Sequence, residues 1–262
     1  MQKAAIFIAC VFIVVLSGCS KGTRLIKEPE PYQIAKPIAS ASDERLVATL
    51  DWVIVRLGPG AWAKNADWDE FLLRFENLSD SPLKIMSVTV FDSFDTRIET
   101  RSNRKQLVKG SKETKRRYAD SDIKIMAGWG GGAIALAGAG ILVGTAAAFL
   151  STGVLSGPLA AAGAAGGATA VGAIIVAGPV IVLAGLGRHS RSKKVGKEII
   201  RRQTVMPLEI PPSQELPVDL FFPLVPSPTH LEVIYTDSDN EYRLVIDTQE
   251  ALNGLHLVPE KK

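Results

Sequence analysis

The chain has 262 residues, 30 of them Lys or Arg and 27 Asp or Glu, for a net charge of +3, and its only cysteines are Cys10 and Cys19. That length supports one or two domains with real cores, while two thiols leave no room for a disulfide scaffold or a thiolate metal cluster. The near-neutral total hides a segregation: residues 101–124 hold nine basic and three acidic residues, and residues 188–202 hold seven and one. Such unevenness points to a surface or membrane contact. No nucleic-acid partner is expected, because the basic stretches lack interleaved aromatics.

The first element is a short basic start (Lys3), an apolar run from Ala4 to Leu16, and then Leu16-Ser17-Gly18-Cys19. This is a secretory signal with a small-residue cleavage site, too short to span a bilayer. It resembles the lipobox of bacterial lipoproteins. The resemblance implies cleavage between Gly18 and Cys19, loss of residues 1–18, and acylation of Cys19. With Cys10 removed and Cys19 acylated, no thiol pair remains. In lipoproteins of two-membrane bacteria, aspartate after the cysteine commonly signals inner-membrane retention. Ser20 at that position therefore implies delivery to the outer membrane, facing the periplasm.

Residues 19–43 read as lipid anchor and tether, extended by Pro29, Pro31 and Pro37. Residues 44–100 read as the first half of a β-sandwich. Strand-like runs at 46–57, 71–78, 83–91 and 96–100 carry β-branched and aromatic enrichment. The Gly58-Pro59-Gly60 and Ser79-Asp80-Ser81-Pro82 breakers punctuate them. Trp52, Trp62 and Trp68 surround the Gly/Pro loop and read as core and loop packing.

Residues 101–124 form a basic polar linker, partly helical or loose, and residues 125–187 carry no charge at all. At about 1.5 Å per residue one helix of that length would extend roughly 95 Å, three times a hydrocarbon core. Two helices, at 129–150 and 159–187, fit instead, with the hydroxyls and breakers of 151–158 as their connection. Gly128/Gly132, Gly140/Gly144 and Gly163/Gly167 are each four apart, and Gly132/Gly138/Gly144 and Gly172/Gly178 recur at six. Spacing of four lines one helical face with hydrogen atoms and lets backbones approach. The pattern resembles the glycine-zipper two-helix domains of some outer-membrane lipoproteins. A hairpin in lipid, a hairpin in a homo-oligomeric core, and a flexible Gly/Ala tract are the competing readings. An ordinary soluble monomer is excluded, since this chain has no interior that could surround two helices apolar on every side.

Residues 188–202 form a second basic collar, which solvates the hairpin end or meets anionic head groups. Residues 203–262 read as the second half of the sandwich, with strands at 205–210, 216–222, 231–235 and 242–246 and a turn at Asp237-Ser238-Asp239-Asn240. Gln249 to Lys262 reads as a short helix or tail. The expected fold is therefore β-rich, an immunoglobulin-like sandwich interrupted by an inserted transmembrane-type α-hairpin, with two small β pieces flanking a membrane core as the alternative.

Chemistry is sparse. His189, His230 and His256 stand far apart without a zinc motif. Asp237, Asp239 and Glu241 begin like a calcium loop, but Tyr242 and Thr248 occupy the positions that need Gly and Glu. Asp67, Asp69 and Glu70 could serve acid–base work, yet nothing in the linear sequence places a partner opposite them. No catalytic residue, metal ligand, cofactor or small-molecule substrate is assigned, and a non-enzyme is expected. The sequence points to a lipid-anchored envelope protein with a structural or interaction role. Its partners are membrane lipids and either further copies of itself or another envelope protein. The runner-up is an oligomeric channel-forming or membrane-perturbing protein.

Overall fold

The computed structural model describes residues 22–29, 31, 36–129, 188–238 and 240–258. In chain order these form β1 (Arg24–Leu25), β2 (Ala39–Ser42), β3 (Leu46–Ile54), β4 (Ala63–Lys64), β5 (Asp69–Asn77), β6 (Leu83–Phe91) and β7 (Arg97–Glu99). Helices α1 (Arg104–Ala119) and α2 (Arg188–Arg202) follow, then β8 (Leu208–Ile210), β9 (Glu215–Phe222), β10 (His230–Thr236) and β11 (Glu241–Asp247).

The protein is β-rich and its sheets are antiparallel. One runs β2-β3-β5-β9; the other runs β11-β10-β6-β7, with β8 also paired to β6. Leu50, Phe71, Phe75, Val218, Leu220 and Phe222 of the first share one apolar cluster with Leu83, Ile85, Val90, Leu231, Val233 and Ile246 of the second. In β10 every second residue is fully buried, as expected of a strand with one face on a core. β3 departs from that rule. It is buried almost throughout, so its other face is covered as well. A bulge at Asp51 shifts its register between Leu50↔Leu73 and Trp52↔Leu72. The Asp51 carboxylate accepts two bonds from Arg74, at 2.5 and 3.0 Å.

Each strand-like run of the sequence overlaps a strand, although 46–57 runs past the end of β3 and 205–210 starts before β8. Two expectations change. Ala39–Ser42, in the stretch taken as tether, pairs with β3 as an edge strand, and Arg24–Leu25 pairs with β4. Residues 101–122, taken as partly helical or loose, contain the 16-residue α1. Its buried positions Leu107, Ser111, Thr114 and Tyr118 lie on one face at helical spacing. Asn103 caps its start, accepting from the Gln106 amide at 3.0 Å. Gly110 permits close packing there, because a β-carbon would stand 2.6 Å from Pro223.

β7 and β8 occupy the same edge of β6, at its end and its start respectively, while β10 holds the other edge. The chain leaves that edge after Glu99 and rejoins it at Leu208, so the basic and uncharged stretches interrupt a single sheet edge. Among the described residues no helix is long and apolar enough to cross a membrane. The run 130–187, to which the hairpin expectation applies, lies outside them.

At the opposite end of the sheets Asp43 accepts bonds from the amides of Arg45 and Leu46, at 2.8 and 2.9 Å, and from the Tyr235 hydroxyl at 2.5 Å. Burial works to raise this carboxyl, but the bonds from Tyr235 and the two amides outweigh it and hold it below the usual value. A carboxyl lowered by folding lends stability that is full above its unfolded value and is lost as pH falls through the folded one. Tyr235→Phe is expected to shrink that acid-side loss in urea midpoints measured between pH 5 and 2. An unchanged slope would refute the assignment.

Candidate functional site

Residues 55–68, the connection from β3 to β5, are where three stretches bordering the undescribed chain come together. The first is the N-terminal approach. Asn65 donates from Nδ2 to the Gly22 carbonyl at 3.5 Å, and the Thr23 hydroxyl donates to the Asn65 carbonyl at 3.4 Å. The Ile26 amide donates to the Trp62 carbonyl at 2.8 Å. Gly22 stands three residues after Cys19.

The second is the departure into the uncharged run. Lys124 to Trp129 lie against the C-terminal segment, with an Ile125↔Leu257 bridge. The Met126 amide donates to the His256 carbonyl at 2.9 Å, and the Val258 amide to the Lys124 carbonyl at 3.0 Å. Trp129, the last described residue before 130–187, rests its indole on Gly58. A β-carbon on Gly58 would stand 2.9 Å from Trp129 Cε2. Gly58→Ala is therefore expected to displace the indole at a cost of about 1–3 kcal/mol. It should be seen as a lower urea midpoint and red-shifted tryptophan emission; an unmoved midpoint and spectrum would contradict this packing.

The third is the return through α2. Val195 and Ile199 are fully buried with Leu107 of α1 against Trp62, Ala63, Ala66, Trp68 and Phe221, a second apolar cluster on the outer face of the first sheet. Through Phe221 this cluster covers part of that sheet's outer face. Phe221 points into it, while its neighbours Leu220 and Phe222 point into the core between the sheets.

Charge fastens these layers. Arg202, the last residue of α2, donates to Glu70 at 2.7 Å, and the Trp62 indole N–H donates to the other Glu70 oxygen at 2.5 Å. The Arg202 guanidinium also lies over the Trp62 ring. Burial pushes Glu70 above the usual carboxylate range, against the pull of Arg202 and Trp62. On α1, Lys115 reaches Asp67 at 3.1 Å and Arg117 pairs with the fully buried Asp92. The basic collars thus do more than solvate the ends of a hairpin, since Lys115, Arg117 and Arg202 are pins into the β domain. Lys193, Lys194 and Lys197 stay exposed.

His256 and Asp69 form the deepest polar pair, 2.8 Å apart and both wholly buried. His256 Nδ1 accepts from the Gly128 amide at 3.2 Å and lies 3.1 Å from the Met126 carbonyl, while Nε2 faces Asp69 Oδ2. The Val225 amide donates to the same oxygen at 3.1 Å. A carboxylate orienting a histidine is half of a nucleophile-activating arrangement. Here the far nitrogen is taken up by backbone, and neither side chain reaches solvent. The pair acts as a fastener, holding Met126 to Gly128 against the sheet.

Gly128 itself, taken as the first zipper glycine, sits in a bend rather than a helix. Its φ of +126° suits glycine, and a β-carbon would meet the Arg56 carbonyl at 3.0 Å. Gly18, Cys19, Ser20, Gly132, Gly138, Gly140, Gly144, Gly163, Gly167, Gly172 and Gly178 lie outside the described residues. Trp52, Trp62 and Trp68 are all buried. Asp67, Asp69 and Glu70, weighed as acid–base candidates, each hold a cation or a histidine. Among the described residues no three side chains converge as metal ligands would. A cleft of about 850 Å³ runs between β7, α1 and residues 203–206. Its cations are answered locally, Arg101 by Glu99 at 3.1 Å and Lys109 by Glu113 at 3.8 Å. No family model, curated protein or solved structure matches this chain.

Proposed function

We propose that the protein is a lipid-anchored cell-envelope component with a structural or interaction role, embedded in a membrane through the uncharged run 130–187. One observation carries this reading: Gly22, Trp129 and α2 are all fastened to residues 55–68 of the β domain. The three residues from Gly22 back to Cys19 span at most about 11 Å. A lipid on Cys19 and an apolar insertion between Trp129 and Arg188 therefore belong to the same end of the domain. Two anchors at one end are what a single bilayer attachment requires.

The strand order supports an immunoglobulin-like arrangement. β3, β5 and β9 correspond to strands A, B and E of one sheet, and β6, β10 and β11 to C, F and G of the other. The insertion then fills the connection from C to E. Ser20 favours the outer membrane with the domain in the periplasm, and the glycine spacing favours close packing of hairpins, within one copy or between copies. Burial of the His256–Asp69 pair favours a non-catalytic role.

Alkaline carbonate extraction of a Cys19→Ala variant from envelopes tests the reading. The variant is expected to stay in the membrane pellet through its insertion. Complete release as folded protein would overturn it.

A further inference from the structure

We infer that the exposed tip of residues 55–68 is a membrane-seating surface that rests in the head-group region of an anionic phospholipid bilayer. This rests on the proposed membrane attachment and deepens it by naming the surface of the β domain that meets lipid.

Leu57 stands at that tip, 73% exposed, with a left-handed backbone at φ 62°. A bulky side chain in that conformation is an outlier, and such outliers cluster at functional sites. Nothing among the described residues covers this leucine. Two more large apolar side chains lie on segments tied to the same loop. Leu25 is 41% exposed, in register with Ala63, and Met126 is 47% exposed, two residues before the Gly128 that packs under Arg56. Arg24, Lys64 and Lys124 are exposed beside them, each next to or paired with one of these segments.

Apolar side chains among lysine and arginine fit the boundary between acyl chains and anionic head groups, where leucine enters and cations stay with phosphate. The position of the chain favours lipid over a protein partner. Residues 1–21 precede Gly22 and residues 130–187 follow Trp129, so both stretches with anchoring chemistry depart from this end. The turn at Ser238 lies at the opposite end, beyond the start of β3, where Arg45 meets Asp237. A nine-residue strand puts roughly 30 Å between the two ends.

The experiment places a nitroxide at Leu57→Cys, Leu25→Cys or Ser238→Cys in the full chain. The protein is reconstituted in vesicles of phosphatidylglycerol and phosphatidylethanolamine, and the parent chain labelled in parallel sets the background. Collision with oxygen and with a water-soluble nickel chelate reports depth. The oxygen-to-nickel ratio is expected to be severalfold higher at 57 and 25 than at 238. A ratio at both positions equal to that at 238, with the protein still floating with the vesicles, overturns the seating surface and leaves the membrane attachment standing. A label at 57 shielded from both reagents marks a protein contact and also overturns it. Protein that does not float with the vesicles sinks the attachment and the seating surface together.

Discussion

Replacing His256 by alanine is expected to lower stability by about 3–5 kcal/mol, because it leaves the Asp69 carboxylate buried without its partner. Asp69 Oδ1 already lacks a hydrogen-bond partner among the described residues, and the Val225 amide alone would remain on Oδ2. The loss should be local as well as global. With Nδ1 gone, the Gly128 amide loses its acceptor and the strand-like contact of 125–128 with 256–258 weakens. Hydrogen exchange at Met126 and Gly128 should therefore rise more than at β10. Asp69→Asn in the same background removes the orphaned charge, so the double variant should cost less than the sum of the two single changes. Equal exchange in all variants, or strict additivity of urea midpoints, would contradict the fastener role.

The second large effect is expected at Arg202. Arg202→Ala takes the cation from a carboxylate whose pKa burial already holds high, and about 3–5 kcal/mol is again the scale near neutral pH. The sign with pH is distinctive. A carboxyl whose folded pKa is raised lends stability that is full below the unfolded value and is lost as pH rises through the folded one. Without Arg202 the folded value climbs further, so the variant recovers in acid, where Glu70 takes a proton. The deficit against the parent should shrink steadily as urea midpoints are taken from pH 8 down to 4. Glu70→Gln in the Arg202→Ala background should restore part of it at neutral pH. A deficit independent of pH would show that Arg202 acts by packing on Trp62 rather than by charge. Since Arg202 closes α2, this variant should also loosen Val195 and Ile199 from the second apolar cluster.

These two fasteners differ in how far the sequence discloses them. Alternating apolar residues of β-branched and aromatic type made β6, β9, β10 and β11 legible, and Ser79-Asp80-Ser81-Pro82 and Asp237 to Asn240 marked their turns. The pattern gives out where burial is not apolar. Ala39-Ser40-Ala41-Ser42 alternates only in small residues, too weakly to announce a strand, and becomes an edge strand where β3 offers it a ladder and the core receives Ala39 and Ala41. The inner face of α1 joins Leu107 to Ser111, Thr114 and Tyr118, of which Ser111 bonds the Asp67 carbonyl and Tyr118 the Ser93 side chain, so no apolar stripe announces the helix. His256 and Asp69 lie 187 residues apart, and Arg202 and Glu70 132 apart. No local signal joins such pairs; only the return of β9 beside β5 and of the C-terminal segment beside Gly128 does. Asp67, Asp69 and Glu70 are close neighbours in the sequence, and alternation along β5 is what sends Asp69 to the inner core and Glu70 beneath α2.

The central claim is that the β domain is a self-sufficient platform and that residues 130–187 attach it to the membrane independently of the lipid. The most direct measurement compares two forms of the protein: Cys19→Ala alone, and Cys19→Ala with residues 130–187 replaced by a Gly/Ser linker of about 20 residues, long enough to rejoin Trp129 to Arg188 at small entropic cost. Envelope fractionation should keep the first with the membranes after carbonate and deliver the second to the aqueous fraction. Cooperative unfolding of the second form should show that its platform is intact. Full release of the first form, or collapse of the second into insoluble, non-cooperative material, would contradict the account.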